Sequence, residues 1–185
     1  MRIQAPKDHP VFSTRDIYNK SLDLADYRGK KVLLSFFREA NCPFCNLRVH
    51  ELTHRYPAWK KHGFEVIAVF CSQEAQVRDY NTREPRPFRL VADPQLAIYN
   101  RFGVERSNWV FFKSILLKLP HMMRGMVAGG RPRMNAHMTL IPADFLINEN
   151  GKIVESWYGR DARDHIPLER INAFIDTGLP STSAS

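Results

Sequence analysis

Two short, almost uninterrupted apolar runs with a helical segment between them constrain the fold of this 185-residue chain most strongly. The first run, KKVLLSFF at 30–37, follows the turn YRGK, and the second, EVIAVF at 65–70, follows His62-Gly63. Strands that are apolar on both sides need cover on both faces, which is typical of parallel pairing. A strand, a helix and a strand in this order predict a βαβ unit with a right-handed crossover.

The remainder of the chain predicts further strands and helices around that unit. Asp93-Pro94 has the residue types of a helix start, and Gly103 would end that helix. Farther along, MTLIPADFLI and KIVESWY flank a loop that ends in Asn150-Gly151, which predicts a β-hairpin. A last helix, expected over 167–176, carries its apolar residues on one face. We therefore expect an α/β protein with a central mixed β-sheet flanked by helices.

The segment 104–137 does not belong to this minimal order. It contains SNWVFFKSILLKL, which is apolar over much of its circumference, and then PHMMRGMVAGGRPRMNAHM, which is rich in Met, Arg and Gly. We interpret it as an inserted helix packed on the domain, followed by a mobile loop. A homodimer contact or a cover for the active site is the alternative, because Met-rich surfaces adapt to varied partners. We expect a single domain over 1–176 and a disordered tail over 177–185.

The composition is that of an ordinary globular protein, with 44% apolar and 25% charged residues. The first residues contain no apolar run, so we expect no secretory signal, no membrane segment and a cytoplasmic location. The formal charge of +8 would suit nucleic acid or anionic lipid, but the basic residues are scattered and do not alternate with aromatic residues along one element. We expect neither nucleic acid nor a membrane as a partner, and no cofactor.

One of two neighbouring motifs, His50-Glu51-Leu52-Thr53-His54, has the H-E-x-x-H spacing of a zinc peptidase. A peptidase also needs a third protein ligand and a base beside the open coordination position, and no other histidine has a recognisable spacing. The two histidines should face solvent, opposite the apolar stripe of the expected helix, which is Cys45, Val49, Leu52, Tyr56 and Trp59. We therefore do not favour a zinc peptidase. A zinc ribbon would need a second C-x-x-C, which the chain lacks.

The other motif, Cys42-Pro43-Phe44-Cys45, is a C-x-x-C whose surroundings favour redox chemistry. The strand before it ends near Arg38, so Cys42 falls at the N-cap of the next helix and Pro43 at its first position, where proline is well tolerated. There the Cys42 sulfur can accept hydrogen bonds from the amides of Phe44 and Cys45, at the positive end of the helix dipole. Such a place favours the thiolate, which is the nucleophile.

The spacing of Cys42 and Cys45 allows a disulfide between them. We expect Cys42 to attack an oxidised substrate and Cys45 to release the product, leaving an internal disulfide. Arg38 could hold positive charge near the sulfur or bind a peroxide or carboxylate oxygen, and a plain surface charge is the alternative. Cys71 follows the second strand, and we interpret it as a small buried hydrophobic residue; a third reactive thiol is the alternative.

These residues resemble a known family. LLSFFREANCPFCNLRVHEL is similar to the peroxiredoxin-like branch of the alkyl hydroperoxide reductase and thiol-specific antioxidant family, within the thioredoxin-like superfamily. The likeness covers about residues 10–176, including LADYRGKKVLL, FRLVADPQLAIYNRFGV and IPADFLINENGKIVESWYGRDARDHIP, and the predicted element order is that of the thioredoxin fold. The resemblance implies an antioxidant oxidoreductase that reduces peroxides or disulfides. Its own reductant would be a thioredoxin or a low-molecular-weight thiol.

The resemblance also implies that Ile141-Pro142 is a cis-proline bond packed against the active disulfide, with the backbone of Ile141 pairing with bound substrate. We count Ile141 and Pro142, together with Pro43 and Phe44 between the cysteines, as expected substrate-binding residues. A thioredoxin-fold binding module or redox sensor, acting through the basic, Met-rich insertion, is the alternative to an enzyme.

Two departures from the family pattern bear on the chemistry. The peroxidatic pattern P-x-x-x-T-x-x-C is not intact, whichever cysteine is placed at its last position. Thioredoxins carry a buried acid on the strand before C-x-x-C, and here Phe36 lies in that neighbourhood. Asp144 and His165 are candidates to take over proton transfer, with capping or surface roles as the alternative.

Overall fold

The computed structural model describes residues 2–40, 42–104, 140–161 and 163–178. Its strands are β1 (Lys7–Asp8), β2 (Ser13–Arg15), β3 (Ser21–Asp23), β4 (Lys31–Phe37), β5 (Phe64–Phe70), β6 (Arg89–Ala92), β7 (Ala143–Ile147) and β8 (Lys152–Tyr158). Its helices are α1 (Pro43–Lys60), α2 (Glu74–Arg83), α3 (Ala97–Arg101) and α4 (Leu168–Thr177). None of the helices in these ranges is long and apolar enough to cross a membrane. The predicted insertion lies outside the described residues beyond its first residue, Val104. The tail predicted over 177–185 begins too early, because Thr177 is the last residue of α4 and Gly178 is its C-cap; the rest of that tail lies outside the described residues.

The main sheet has six strands in the order β1-β8-β7-β4-β5-β6. β4 pairs in parallel with β5 and β5 with β6, whereas β4 with β7 and β7 with β8 are antiparallel. The predicted βαβ unit, β-hairpin and mixed sheet are thereby confirmed. In the β4–β7 register Ala143 lies opposite Phe36. The residues just before β7 therefore lie at the same end of the sheet as the loop that follows β4.

Both faces of this sheet are buried against apolar side chains. Successive residues of β4 alternate between the faces, as in any strand: Leu33 and Phe37 lie in one apolar cluster, and Leu34 and Phe36 lie in the other. The first cluster contains the predicted stripe of α1, which is buried as expected, together with residues of α4: Cys45, Val49, Leu52, Tyr56, Trp59, Ile171 and Phe174. The cover on both faces accounts for the near-continuous hydrophobicity of β4 and β5.

Helix α3 begins later than Asp93-Pro94 predicted. Its N-cap is Leu96, whose backbone is left-handed with φ 59°. The Asp93 carboxylate still accepts hydrogen bonds from the amides of Ala97 at 2.9 Å and Ile98 at 2.7 Å. Asp93 therefore satisfies first-turn donors, as a cap does, but from farther back along the chain.

Candidate active site

The C-x-x-C lies at the start of α1, the longest described helix, just after the loop that follows β4. Cys42 is the N-cap of α1, with φ −77° and ψ 121°, and Pro43 is the first helical residue. The Cys42 carbonyl accepts the amide of Asn46 at 3.0 Å, which is the first hydrogen bond of the helix. The predicted position of Cys42 is confirmed. Proline suits the next position because its φ is helical and its missing N–H would have had no helical partner.

The sulfur of Cys42 accepts a hydrogen bond from a positively charged side chain, that of Arg38. The Arg38 Nη2 atom donates a hydrogen bond to Cys42 Sγ at 3.0 Å. The pKa of Cys42 falls from 9.0 to about 5, because the Cys45 thiol donates a hydrogen bond to the anion and the Cys45 amide and the Arg38 guanidinium stabilise it further. Partial burial opposes this change without reversing it. Cys42 is therefore a thiolate at neutral pH.

One detail of the sequence prediction is only partly correct. Cys42 Sγ accepts no capping hydrogen bond from the first-turn amides of α1. The guanidinium of Arg38 and the thiol of Cys45 are its hydrogen-bond donors instead. The amide of Cys45 is not aligned as a cap, yet it still favours the negative charge on the sulfur. The Cys45 thiol thus contributes most to stabilising the anion, and the Cys45 amide and the Arg38 guanidinium add to it.

Cys45 has the opposite character. It is only 1% exposed, and it packs in the cluster beneath α1. Its pKa is raised well above the usual range of a thiol, because it donates a hydrogen bond to the Cys42 sulfur and is buried. The two cysteines are not joined by a disulfide. The pair therefore consists of a partly exposed thiolate, Cys42, and a buried thiol, Cys45.

Arg38 is placed by the sheet. It follows β4 directly, and its carbonyl accepts the amide of Cys71 at 3.1 Å at the end of the neighbouring strand β5. The guanidinium also interacts with the sulfur of Cys45. The hypothesis of a positive charge beside the nucleophile therefore fits the contacts, and that of a plain surface charge does not.

Cys71 lies at the same end of the sheet, as the parallel pairing of β4 and β5 predicted. It is 2% exposed and belongs to the apolar cluster on the face opposite Cys45. This burial agrees with the interpretation of Cys71 as a small hydrophobic residue.

The Ile141-Pro142 prediction is only partly correct. The two residues immediately precede β7 and are buried, at the same end of the sheet as the dithiol loop. The cis peptide bond within the described ranges is Ala5–Pro6, so the predicted cis bond at Ile141–Pro142 is wrong. An X–Pro bond differs little in free energy between the two isomers, so the sequence alone does not fix which one forms.

Pro142 is closely packed against Gly159. The Gly159 amide donates to the Pro142 carbonyl at 2.9 Å. A Cβ at position 159 would lie 2.4 Å from the Asp164 carbonyl oxygen and 3.1 Å from Pro142 Cγ. Only glycine allows the two backbones to approach this closely, and sequence reasoning did not single it out.

The two candidate proton-transfer residues, Asp144 and His165, are hydrogen-bonded to each other. His165 Nδ1 lies 3.0 Å from Asp144 Oδ2, and Asp144 also accepts hydrogen bonds from the Ser35 hydroxyl and from the Ile166 amide at 2.8 Å. Asp144 is 0% exposed and His165 is 8% exposed. Burial opposes ionisation of Asp144, but His165, Arg48 and the Ser35 hydroxyl together outweigh it and lower the pKa of Asp144. The surface alternative for these residues is therefore wrong.

This buried network lies beside the dithiol loop. The His165 ring packs on Phe37, the last residue of β4, with ring centroids 5.0 Å apart. Arg48 of α1 donates to the Ile166 carbonyl at 2.6 Å and contributes to lowering the pKa of Asp144. Sequence reasoning missed Arg48, and nothing near it in the sequence reveals that its partner is Ile166.

The family model for the AhpC/TSA family matches residues 5–156 of this chain. The chain belongs to the AhpC/TSA family. This confirms the family resemblance seen in the sequence, and with it the predicted enzyme class, a thiol oxidoreductase.

Relatives of this AhpC/TSA protein carry two kinds of name. ResA of Bacillus anthracis, named a thiol-disulfide oxidoreductase, is 22% identical over 166 residues, which cover 89% of this chain and 76% of ResA. Peroxiredoxin Bcp of Escherichia coli K12 is 26% identical over 95 residues, which cover 51% of this chain and 61% of Bcp. The crystal structure of peroxidoxin BcpB from Mycobacterium tuberculosis superposes with a TM-score of 0.69 at 13% identity, covering 95% of this chain and 97% of BcpB. The thioredoxin-like fold is thereby confirmed.

The structure describes the other predicted residues of this AhpC/TSA site in less detail. The side chains of Pro43 and Phe44 lie outside what the structure describes, so their substrate-binding role stays a prediction. His50 and His54 are exposed, as expected. Among the described residues, no group of three or more His, Cys, Asp and Glu side chains is arranged to hold a metal ion.

Proposed function

We propose that the protein is a dithiol oxidoreductase that reduces disulfides, with Cys42 as the nucleophile and Cys45 as the resolving thiol. The observation that carries the proposal is the contrast within the pair: a half-buried Cys42 whose sulfur accepts a hydrogen bond from Arg38 lies beside a Cys45 that is only 1% exposed. These surroundings lower the pKa of Cys42 to about 5 and raise that of Cys45. At neutral pH one sulfur attacks, and the other stays protonated until it is needed.

The reaction balances in two steps. The Cys42 thiolate attacks one sulfur of a substrate disulfide, forming a mixed disulfide and releasing the other sulfur as a thiolate. Cys45 then loses its proton to the departing sulfur and attacks Cys42 Sγ. The Cys42–Cys45 disulfide forms and the second substrate thiol leaves. A thioredoxin-type dithiol or a low-molecular-weight thiol would restore the reduced pair by the reverse exchange.

Peroxide reduction is the second candidate, and Arg38 favours it. Cys42 would attack the peroxide O–O bond and become a sulfenic acid while an alcohol or water leaves; Cys45 would then condense with it to give the disulfide and water. The guanidinium 3.0 Å from Cys42 Sγ is placed to hold an oxygen of the peroxide as well. Against this, the threonine of the family's peroxidatic pattern is missing here.

A trapping experiment tests the proposal. Cys45→Ser should accumulate a stable mixed disulfide with a model disulfide substrate, Cys42→Ser should form none, and Cys71→Ser should turn over like the wild type. Mass spectrometry of the intact protein reads out all three. An adduct on Cys45 in the Cys42→Ser variant, or equal adducts in both variants, would overturn the assignment of the nucleophile.

Stopped-flow oxidation separates the two substrates. The reduced protein is mixed with hydrogen peroxide or with the model disulfide, and the loss of thiols is followed. We expect fast reaction with the disulfide. Reaction with peroxide no faster than that of free cysteine would exclude the peroxidase.

A further inference from the structure

The H-E-x-x-H segment on α1 has a geometry that the thiol chemistry does not use. Nε2 of His50 and Nε2 of His54 face each other at 2.9 Å. The rings stand nearly perpendicular, at 81°, with centroids 4.2 Å apart. In the absence of a metal, a hydrogen bond from one ring N–H to the other ring's lone pair explains this distance. A metal ion in place of that shared proton would use the same two nitrogens.

We propose that His50 and His54 form a binding site for a divalent copper ion on the exposed face of α1, which binds nickel(II) more weakly. At a metal–nitrogen distance of about 2.0 Å, two cis ligands of a square-planar ion are about 2.8 Å apart, whereas two tetrahedral ligands are about 3.3 Å apart. From the observed 2.9 Å the two nitrogens would need to move less to reach the square-planar separation than the tetrahedral one. Copper(II) prefers that geometry and binds nitrogen sites most strongly among the first-row divalent ions.

Glu84 is placed to orient His50 in such a site. Its Oε1 atom lies 3.5 Å from His50 Nδ1, across the gap between α1 and the end of α2. A carboxylate on Nδ1 favours the tautomer whose proton is on Nδ1, which leaves the Nε2 lone pair directed at His54. Carboxylates hold metal-binding histidines in this way and raise their basicity.

The surroundings leave room for the other ligands of the ion. Both imidazole rings are exposed, so water can reach the ion; an open cavity of about 810 Å³ beside His50 is lined by Glu84, Arg83 and Arg86 but not by His54. The two arginines would repel a cation, but Arg83 pairs with Asp79 at 2.6 Å and Arg86 pairs with Glu84 at 2.5 Å. Water would complete the coordination, since the described residues supply two nitrogen ligands. The site is thus an exposed chelate and not the zinc centre of a peptidase.

Copper binding is tested by titration of the Cys42→Ser/Cys45→Ser protein, because reactive thiols would otherwise reduce or bind the ion. Isothermal titration with copper(II) should give one site, and His50→Ala or His54→Ala should weaken it at least tenfold. His62→Ala, which removes another exposed histidine just after α1, should leave the affinity unchanged. Glu84→Gln should weaken binding by about tenfold, as loss of a carboxylate that orients a ligand histidine does.

Electron paramagnetic resonance distinguishes this site from loose surface binding. The spectrum should show a tetragonal copper(II) ion coupled to two nitrogens, and to at most one in either histidine variant. An affinity equal to that of the His50→Ala/His54→Ala double variant, or a spectrum without nitrogen coupling, would overturn the proposal. An unchanged affinity in Glu84→Gln would overturn the part assigned to Glu84. These outcomes are independent of whether Cys42 and Cys45 reduce disulfides.

Discussion

Replacing Arg38 by methionine tests the central electrostatic claim about the dithiol. Methionine keeps much of the length of the side chain but has neither its charge nor its N–H donors. The Cys42 sulfur would lose the hydrogen bond from Arg38 Nη2, which spans 3.0 Å. It would keep the hydrogen bond from the Cys45 thiol, which is the largest cause of its lowered pKa.

The size of the effect follows from the strength of that hydrogen bond. A hydrogen bond to a charged group contributes about 1.5–3 kcal/mol, and 1.36 kcal/mol corresponds to one pKa unit. We therefore expect Arg38→Met to raise the pKa of Cys42 by about 1 to 2 above its wild-type value of about 5. Cys45→Ala removes the larger contribution, so it should raise the pKa of Cys42 further than Arg38→Met does.

The assay is the ultraviolet absorbance of the thiolate as a function of pH, measured on the reduced proteins. At pH 5.5 about three quarters of wild-type Cys42 should be thiolate, against about one tenth in a variant whose pKa is about 6.5. Absorbance is preferable to an alkylation rate, because a thiolate becomes a stronger nucleophile as its pKa rises and the two effects partly cancel. Arg55→Met, which removes an exposed arginine of the same helix, is the matched control.

Three results would refute this reasoning. A wild-type pKa near 9 would mean that the thiolate is not stabilised at all. An unchanged pKa in Arg38→Met would mean that the guanidinium does not act on the sulfur as its position implies. A larger change in Arg38→Met than in Cys45→Ala would mean that the Cys45 thiol is not the main donor to the anion.

Three further predictions concern the network behind the site. Asp144→Ala leaves His165 without its carboxylate partner, so the free energy of unfolding should fall by about 3–5 kcal/mol in urea titrations; a loss below about 1 kcal/mol would contradict an ion pair there. The pKa of Asp144 is lowered in the folded state, so its contribution to the free energy of unfolding is present above pH 3.8 and is lost as the pH falls through the folded-state pKa. Asp144→Asn should therefore make the free energy of unfolding less dependent on pH in the acid range. Gly159→Ala places a Cβ 2.4 Å from the Asp164 carbonyl oxygen, so it should cost about 1–3 kcal/mol and disturb Pro142, seen as slower disulfide exchange with the pKa of Cys42 unchanged.

Much of the fold and the position of the nucleophile could be predicted from the sequence. The apolar runs of β4 and β5, the stripe of α1 and the place of Cys42 at its N-cap depend on residues within one or two turns of each other. Periodicity and capping preferences act over that range, so the letters carry the information. The exposure of His50 and His54 followed from the same helical geometry.

What the tertiary structure decided is which distant side chains meet. Ser35 and Asp144 are 109 residues apart in sequence, and Arg48 and Ile166 are 118 apart. Their contacts depend on which strands become neighbours and on how the last loop returns across α1, and no local pattern records either. The isomer of the Ile141–Pro142 peptide bond is also decided by the tertiary structure, because the small free-energy difference between cis and trans leaves the choice to the surrounding packing. The sequence thus determined where the reactive sulfur would lie, and the fold determined which charges and protons surround it.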